Sequence, residues 1–367
     1  MRFPEFSGEW KKCIIQDYGE VITGNTPPTN NAEYYNNGSY LWASPADLGT
    51  GKKINDTKTK LSESGFKKTR IIPKGSILVT CIGSTIGKMG MAVETMSSNQ
   101  QINSIIVNEK SNNDFVYYAI SRAFPRYLSE VGVQAVPILS KSNFEKLPNY
   151  TTSIEEQDKI GYFLNLLDER IATQNKIIDK LQSLIKGINC KIFALIQGNE
   201  YRLGDIATIT NGNSNVQDAS VEYRVGLYPF FDRSEDVKYL PTFLFDKESI
   251  IYPGEGTEFM PRYYNGKFAL HQRCYAICDF NEAVNPQFLY FFLKTQNSYF
   301  IRNAVGSTVP SLRLDTFQKL KVVIPSKETQ YSVYSFLSTL EQKLDVENSI
   351  MKMLLCQKRY LLRQMFI

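Results

Sequence analysis

Residues 153–198 read SIEEQDKIGYFLNLLDERIATQNKIIDKLQSLIKGINCKIFALIQG, and the spacing of their apolar side chains decides the architecture. Ile160, Leu164, Leu167, Ile171, Gln174, Ile178, Leu181, Ile185, Ile188, Ile192 and Leu195 follow one another at alternating steps of four and three. That is the narrow apolar seam of a heptad helix. Ser153 and Glu156 have the spacing of a capping box, and Gly198 is suited to end the helix. At ~1.5 Å per residue such a helix spans on the order of 60 Å.

The same seam returns near the end of the chain. A shift of 330 − 157 = 173 carries Gln157 onto Gln330, and the seam onto Val333, Leu337, Leu340, Leu344, Glu347, Met351, Leu354, Lys358, Leu361 and Met365. Ser326 then takes the place of Ser153 as N-cap. Two such stripes are satisfied by packing on each other, whereas packing each on its own globular part is the simpler alternative. Gln174 and Glu347 hold the same heptad position near the two midpoints. In an antiparallel pair they come together and hold register at a cost in stability.

The shift extends outward into the globular residues. It pairs Phe115 with Phe288, Tyr117 with Tyr290, Pro137 with Pro310, Leu139 with Leu312, Phe144 with Phe317 and Leu147 with Leu320. Self-similarity at so long a period signals a duplicated domain rather than a solenoid. Nearer the two starts the shift is 188, with Gly24-Asn25 on Gly212-Asn213 and Tyr40 on Tyr228. The first copy therefore carries 188 − 173 = 15 extra residues, between about Asp47 and Ser76. That stretch holds Lys52, Lys53, Lys58, Lys60, Lys67, Lys68, Arg70 and Lys74. Duplicated scaffolds keep what packing requires and vary the loops that bind. The insertion is therefore expected to be a binding surface, the alternative being a solvated lysine-rich loop. The expected layout is α+β: a domain over 1–152, a helix over 153–198, a second domain over 199–325 and a second helix over 326–367, the helices forming an antiparallel coiled coil.

With 43% apolar residues the chain can build real cores, and no apolar run approaches the ~20 residues of a membrane span. The start, Met1-Arg2-Phe3-Pro4-Glu5-Phe6, has no apolar signal core, so a cytoplasmic protein is expected. None of the six cysteines forms a Cys-x-x-Cys pair, which makes reduced thiols the default. The net charge of +5 is too small for a general basic field. Any nucleic-acid binding must come from local clusters.

Several short segments resemble a known family. Arg2-Phe3-Pro4-Glu5-Phe6 with Gly8-Glu9-Trp10, Leu203-Gly204-Asp205-Ile206, Tyr228-Pro229-Phe230-Phe231-Asp232-Arg233-Ser234 and Gly83-Ser84-Thr85-Ile86-Gly87-Lys88 are similar to segments of the specificity subunit of Type I restriction–modification systems. The duplicated architecture with its paired helices resembles that family over essentially the whole chain. The resemblance implies two target-recognition domains, each reading one half of a bipartite double-stranded DNA sequence, with the helices setting the gap. It also implies docking of two modification (methyltransferase) subunits, and of restriction (translocase/endonuclease) subunits in a larger complex. S-adenosylmethionine would be bound by the methyltransferase partner, and no cofactor by this chain.

The residues themselves point away from catalysis. His271 is the sole histidine, so neither a multi-His metal site nor a His acid–base pair can form. No Asn-Pro-Pro-aromatic motif of an amino-methyltransferase occurs; Asn25-Thr26-Pro27-Pro28 is not one. The Gly83–Lys88 stretch is one residue short of a phosphate loop, and Met89 stands where Ser or Thr is needed. Gly254-Glu255-Gly256 reads as a turn. Glu5, Glu9 and Lys11 imitate nuclease metal ligands only in type.

Sequence readout needs Arg or Lys for guanine and Asn or Gln for adenine, framed by phosphate contacts. The candidate DNA-binding residues in the first domain are Lys52, Lys53, Lys67, Lys68, Arg70, Ser84, Thr85 and Lys88. In the second they are Arg233, Ser234, Arg262, Tyr263, Lys267, Gln272 and Arg273. Asn265-Gly266 favours a type I′ turn, which would place Tyr263–Lys267 at a hairpin tip. The repeated turn containing Gln134 and Ser307 is a further, mainly structural, candidate. The expected function is a non-catalytic specificity subunit. The competing expectation is a homo-oligomeric coiled-coil scaffold whose globular domains bind proteins or other ligands.

Overall fold

The heptad seams become two long helices, Ile154–Leu195 and Lys327–Met365, in a computed structural model that describes residues 2–130 and 138–366. Both start at their expected caps. Ser153 Oγ accepts the Glu156 amide at 3.4 Å, and Ser326 Oγ accepts the Thr329 amide at 3.3 Å. The chain forms two compact units, residues 1–175 with 350–367, and residues 176–349. Each unit thus contains one half of each long helix.

In the first unit Ile160, Leu164 and Leu167, from the start of the central helix, share a core with Leu354, Leu361 and Met365, from the end of the terminal one. Asp168 Oδ1 and Lys358 Nζ pair at 2.5 Å between the two, so the helix segments run antiparallel here. The core continues into Phe115, Tyr118, Phe124 and Tyr127 of the helix Asn113–Glu130. Phe366 closes it, with its ring 5.4 Å from that of Phe115 and 5.9 Å from that of Trp10. Leu164 is fully buried, so its replacement by Ala should cost about 2–5 kcal/mol. Beyond the helices lie a five-stranded sheet, in the order Gly19–Thr23, Ile102–Val107, Ile77–Thr80, Met89–Ala92, Lys53–Ile54, and a four-stranded one around Tyr40–Ala43. The run Ile77-Leu78-Val79-Thr80 is buried at every position, as a strand covered on both faces must be.

The second unit repeats this plan. Phe193 near the end of the central helix, Ile196 just after it, and Val333 and Tyr334 from the start of the terminal helix border a core of Phe288, Phe292, Phe300 and Phe317. A six-stranded sheet runs Thr208–Asn211, Cys274–Cys278, Phe245–Pro253, Arg262–Leu270, Tyr228–Phe231, Lys238–Leu240. In both units a two-stranded ribbon leads into the first buried turn: Lys11–Ile14 with Pro148–Thr151, and Asn199–Arg202 with Lys321–Ile324.

Gln157 and Gln330, which anchor the repeat, are buried and make the same bonds. Gln157 Oε1 accepts the Asn112 amide at 3.0 Å while its Nε2 donates to the Thr152 carbonyl at 2.8 Å. Gln330 Oε1 accepts the Asn285 amide at 2.7 Å while its Nε2 donates to the Pro325 carbonyl at 3.0 Å. In both cases that Asn caps the next helix, its Oδ1 accepting the Phe115 or Phe288 amide at 2.9 Å. The amide ties each long helix to the start of the helix beside it, satisfying backbone groups that would otherwise be buried alone.

Four expectations are corrected. Leu195 lies off the seam and is 69% exposed; the buried side chain nearby is Asn189, which donates to the Phe291 carbonyl at 3.2 Å. The central helix ends three residues before Gly198, where a Cβ would sit 2.3 Å from the Ile324 carbonyl oxygen; glycine there permits a close backbone approach rather than a left-handed cap. Asn265 and Gly266 form no hairpin turn. They lie inside the strand Arg262–Leu270, paired with Glu248 and Lys247, because continuous pairing with Phe245–Pro253 outweighs the local turn preference. The insertion is not a loop either. Leu61 lies opposite Tyr40 and Leu240 opposite Tyr228, so at this strand the shift is already 240 − 61 = 179. Nine extra residues (188 − 179) precede it and six (179 − 173) follow it, and Leu48, Ile54, Leu61, Phe66 and Ile72 of this stretch are buried. The cysteines are free thiols, with Cys81, Cys274 and Cys278 buried.

Candidate nucleic-acid interface

The second unit gathers polar side chains where the strand Tyr228–Phe231 ends. Asp232 is buried and organises the turn: Ser234 donates its amide at 2.8 Å and its hydroxyl at 2.5 Å to Oδ1, and Lys238 Nζ donates to Oδ2 at 2.6 Å. Burial works to raise the Asp232 carboxyl, but the bonds from Lys238 and Ser234 outweigh it and hold the group below its ordinary range. The Arg262 guanidinium donates to the Ser234 carbonyl from behind. The exposed charged residues of this turn are Arg233, Glu235 and Asp236, of which Arg233 is the cation.

A second turn, His271–Arg273, lies beside it. His271 donates its amide to the Phe231 carbonyl at 2.9 Å, and Cys274 donates its amide back to the His271 carbonyl at 2.9 Å. Burial lowers the His271 imidazole below its ordinary value, so the ring is neutral at neutral pH; its Nδ1 accepts the Arg273 amide at 3.2 Å. Arg273 Nη1 reaches Glu255 Oε1 at 2.7 Å, while Gln272 is exposed. Arg233, Gln272 and Arg273 line one cleft together with Asp232, Glu255 and His271. The structure therefore brings three of the seven candidates of this domain together and makes Ser234 and Arg262 their supports.

Tyr263 and Lys267 stand apart from this cleft. The Tyr263 hydroxyl donates to Glu248, its ring lies 6.0 Å from that of Tyr290, and its side chain packs on the helical core. Lys267 lies over the Phe243 ring at 4.8 Å, within 4.0 Å of Asp246. Ser307 is exposed; Gln134, its counterpart in the repeated turn, is outside the described residues.

The first unit has the same turn at Asn99–Gln101. Asn99 donates its amide to the Ala43 carbonyl at 2.9 Å and Ile102 donates back to the Asn99 carbonyl at 3.1 Å, the same two bonds as in His271–Arg273. Thr26 donates its hydroxyl to Gln100 Oε1, and Asn25 ties in the insertion. Asn25 Nδ2 donates to the Lys68 carbonyl at 2.9 Å, its Oδ1 accepts the Arg70 amide at 2.7 Å, and Arg70 Nη1 donates to the Thr23 carbonyl at 2.8 Å. Cys81 donates to the Gln101 carbonyl at 2.8 Å, which sets the turn Gly83–Gly87, carrying Ser84 and Thr85, next to Gln101. Lys68, Arg70, Ser84 and Thr85 thus collect around the Asn99–Gln101 turn.

The remaining candidates of this domain separate. Lys52 is corrected: its side chain is 5% exposed, its ammonium pairs with Asp114 at 2.5 Å and donates to Asn165 at 3.1 Å, and burial lowers its pKa. It joins the insertion to the helices and cannot reach a duplex. Lys53 is exposed but faces Glu169 on the central helix at 3.8 Å. Lys67 pairs with Glu63 at 2.6 Å, one helical turn away, and Lys88 is exposed beside Gly49.

Asn99, Gln100, Gln101 and Thr26 were not singled out by sequence. The signal was present: a shift of 172 places Gln100 on Gln272, whereas 173 places it on Arg273. A single-residue change of register between two fixed blocks hides the match.

Among the described residues no group of acidic, His and Cys side chains is placed to hold a metal ion, and no helix is long and apolar enough to cross a membrane. The chain matches the Type I restriction modification DNA specificity domain over residues 7–183 and again over residues 198–354. It is 25% identical to the Type I restriction enzyme MjaIX specificity subunit of Methanocaldococcus jannaschii, over 92% of this chain and 88% of that one. It is 29% identical to the HindI specificity subunit of Haemophilus influenzae over 48% of this chain and 40% of that one. In fold it resembles the S subunit of a Type I restriction–modification system from M. genitalium, with a TM-score of 0.66, 19% identity and coverage of 98% and 96% of the two chains.

Proposed function

This chain belongs to the Type I restriction–modification DNA specificity family, whose members are recognition subunits rather than catalysts, and we propose that it reads a bipartite double-stranded DNA target, one half with each unit. Contact is made through the turns at the strand ends: Asn99–Gln101 with Lys68, Arg70, Ser84 and Thr85 in the first unit, and Arg233 with His271–Arg273 in the second. The observation that carries this reading is the recurrence, in both units, of one buried scaffold presenting different polar side chains at one turn. Packing alone would not require the middle residue of that turn, Gln100 or Gln272, to be long, polar and exposed.

The small net charge fits this arrangement, because a few local cations supply the phosphate contacts and leave discrimination to base edges. The chain works by placing two modification subunits on the two half-sites, in the cytoplasm where the DNA is. Those subunits bind S-adenosylmethionine and carry out methyl transfer, and restriction subunits join the same complex. The long helices set the number of unread base pairs between the half-sites.

The test is reconstitution. Purified chain, cognate modification subunit and labelled S-adenosylmethionine are mixed with plasmid DNA. Methyl transfer requiring both proteins is expected; transfer by the modification subunit alone at the same rate and sites would overturn the proposal.

A further inference from the structure

The turns Asn99–Gln101 and His271–Arg273 occupy the same place in the two units, and their middle residue is the same. Gln100 and Gln272 are both exposed, while Ser98, Ile102, Leu270 and Cys274 on either side are buried. The turn is held by the backbone, through the matching bonds to Ala43 and Phe231. It is also pinned by Gly24 and Gly212. A Cβ on Gly24 would lie 2.2 Å from the Ser98 carbonyl oxygen, and one on Gly212 would lie 2.0 Å from that of Leu270. The turn is therefore a rigid mount, which a side chain needs if it is to recognise a fixed pattern of donors and acceptors.

Glutamine is an odd choice for the tip of a tight turn. Gly, Asn, Asp, Ser and Pro serve turns because of their backbone preferences or their short bonds to it; Gln has neither property. Its planar amide does match the N6 donor and N7 acceptor of adenine in the major groove. In the first unit the Thr26 hydroxyl donates to Gln100 Oε1, which orients the amide and leaves Nε2 and one lone pair of Oε1 for a base. In the second, Ser214 occupies the place of Thr26: its carbonyl accepts the Gln272 backbone amide at 3.1 Å, fixing the turn, while its hydroxyl donates to Asn213 Oδ1 at 3.1 Å and not to the Gln272 side chain.

We infer that Gln100 and Gln272 are paired specificity residues, each reading one adenine–thymine base pair in its own half-site, and that the neighbouring positions 101 and 273 set which base is read next. Gln101 and Arg273 differ in the way that separates an adenine reader from a guanine reader. The two half-sites thus share a common adenine contact and diverge beside it. This rests on the bipartite reading proposed above and adds the residues that read it.

Methylated bases are mapped in cells carrying the cognate modification subunit with the parent chain, Gln100→Ala, Gln272→Ala or Gln101→Arg. A bipartite motif with the parent chain establishes the underlying reading; no motif sinks that reading and this inference with it. Given the motif, Gln100→Ala should relax one adenine–thymine position, by roughly 10-fold or more in discrimination, in one half-site only. Gln272→Ala should do the same in the other half-site. Gln101→Arg should shift one neighbouring position of the first half towards guanine. A parent motif that survives both alanine variants unchanged overturns the inference and leaves the bipartite reading standing. Equal weakening at every position of both halves, with Gln101→Arg changing no base, would assign the glutamines to folding and also overturn it.

Discussion

Single residues carry both the stability and the selectivity of this chain, and their environments keep the two apart. Gln330 is fully buried and bonds the Asn285 amide and the carbonyls of Ala283 and Pro325. Gln330→Leu strands those groups, so unfolding by denaturant should show a loss on the order of 3 kcal/mol; a loss below ~0.5 kcal/mol would mean that water replaces the amide. Lys52 and Lys68 make the opposite contrast. Lys68→Ala should reduce the salt dependence of DNA binding by ~1 unit of log–log slope, one phosphate contact, without loss of stability. Lys52→Met should leave that slope unchanged, because its ammonium is buried against Asp114. Asp232 adds a pH dependence. Its carboxyl is held below the ordinary carboxylate range, so the stability it contributes is present above its unfolded value and is lost as pH falls below about 4. Asp232→Asn should be less stable than the parent at neutral pH, and the difference between the two proteins should shrink as pH falls below 4. Composition could not separate Lys52 from Lys68: both are lysines in one basic insertion, and only the partners that the fold supplies tell them apart.

At the scale of elements, periodic signals were legible and local ones were not. The seams of both long helices and their serine caps follow from spacing because many residues act together. Asn265-Gly266 is a two-residue signal, and seven cross-strand pairs in Phe245–Pro253 with Arg262–Leu270 override it. For that reason Tyr263→Phe should leave the recognised bases unchanged in a methylation assay, whereas Arg273→Ala should alter them. A change of target with Tyr263→Phe would return that residue to the interface. The insertion was legible as extra sequence but not as two pieces, since only the pairing of Leu61 with Tyr40 shows where it divides. The helices offer a length test of the proposed gap. Seven residues add ~10 Å of helix, and DNA rises ~3.4 Å per base pair, so a matched heptad insertion in both helices should lengthen the gap by about three base pairs. An unchanged gap in a folded, active variant would show that the helices do not set it.

For the whole molecule, duplication is the fact from which the rest follows. It was visible in the sequence because cores and caps constrain residue type at fixed spacing, and Phe288, Phe317 and Gln330 recur for that reason. The candidate interface was less visible, because a reading surface changes residue type by design. Of the fifteen side chains singled out, the fold clusters Lys68, Arg70, Ser84 and Thr85 in one unit and Arg233, Gln272 and Arg273 in the other, and it adds Gln100, which a one-residue shift had hidden. The most direct measurement is a genome-wide map of methylated bases in cells that express the cognate modification subunit, with and without this chain. A bipartite motif with a constant gap, present only with the chain, is the predicted result. Methylation that is unchanged by removing the chain, with the modification subunit expressed and bound to it, would contradict the account and favour a scaffold whose domains bind something other than DNA.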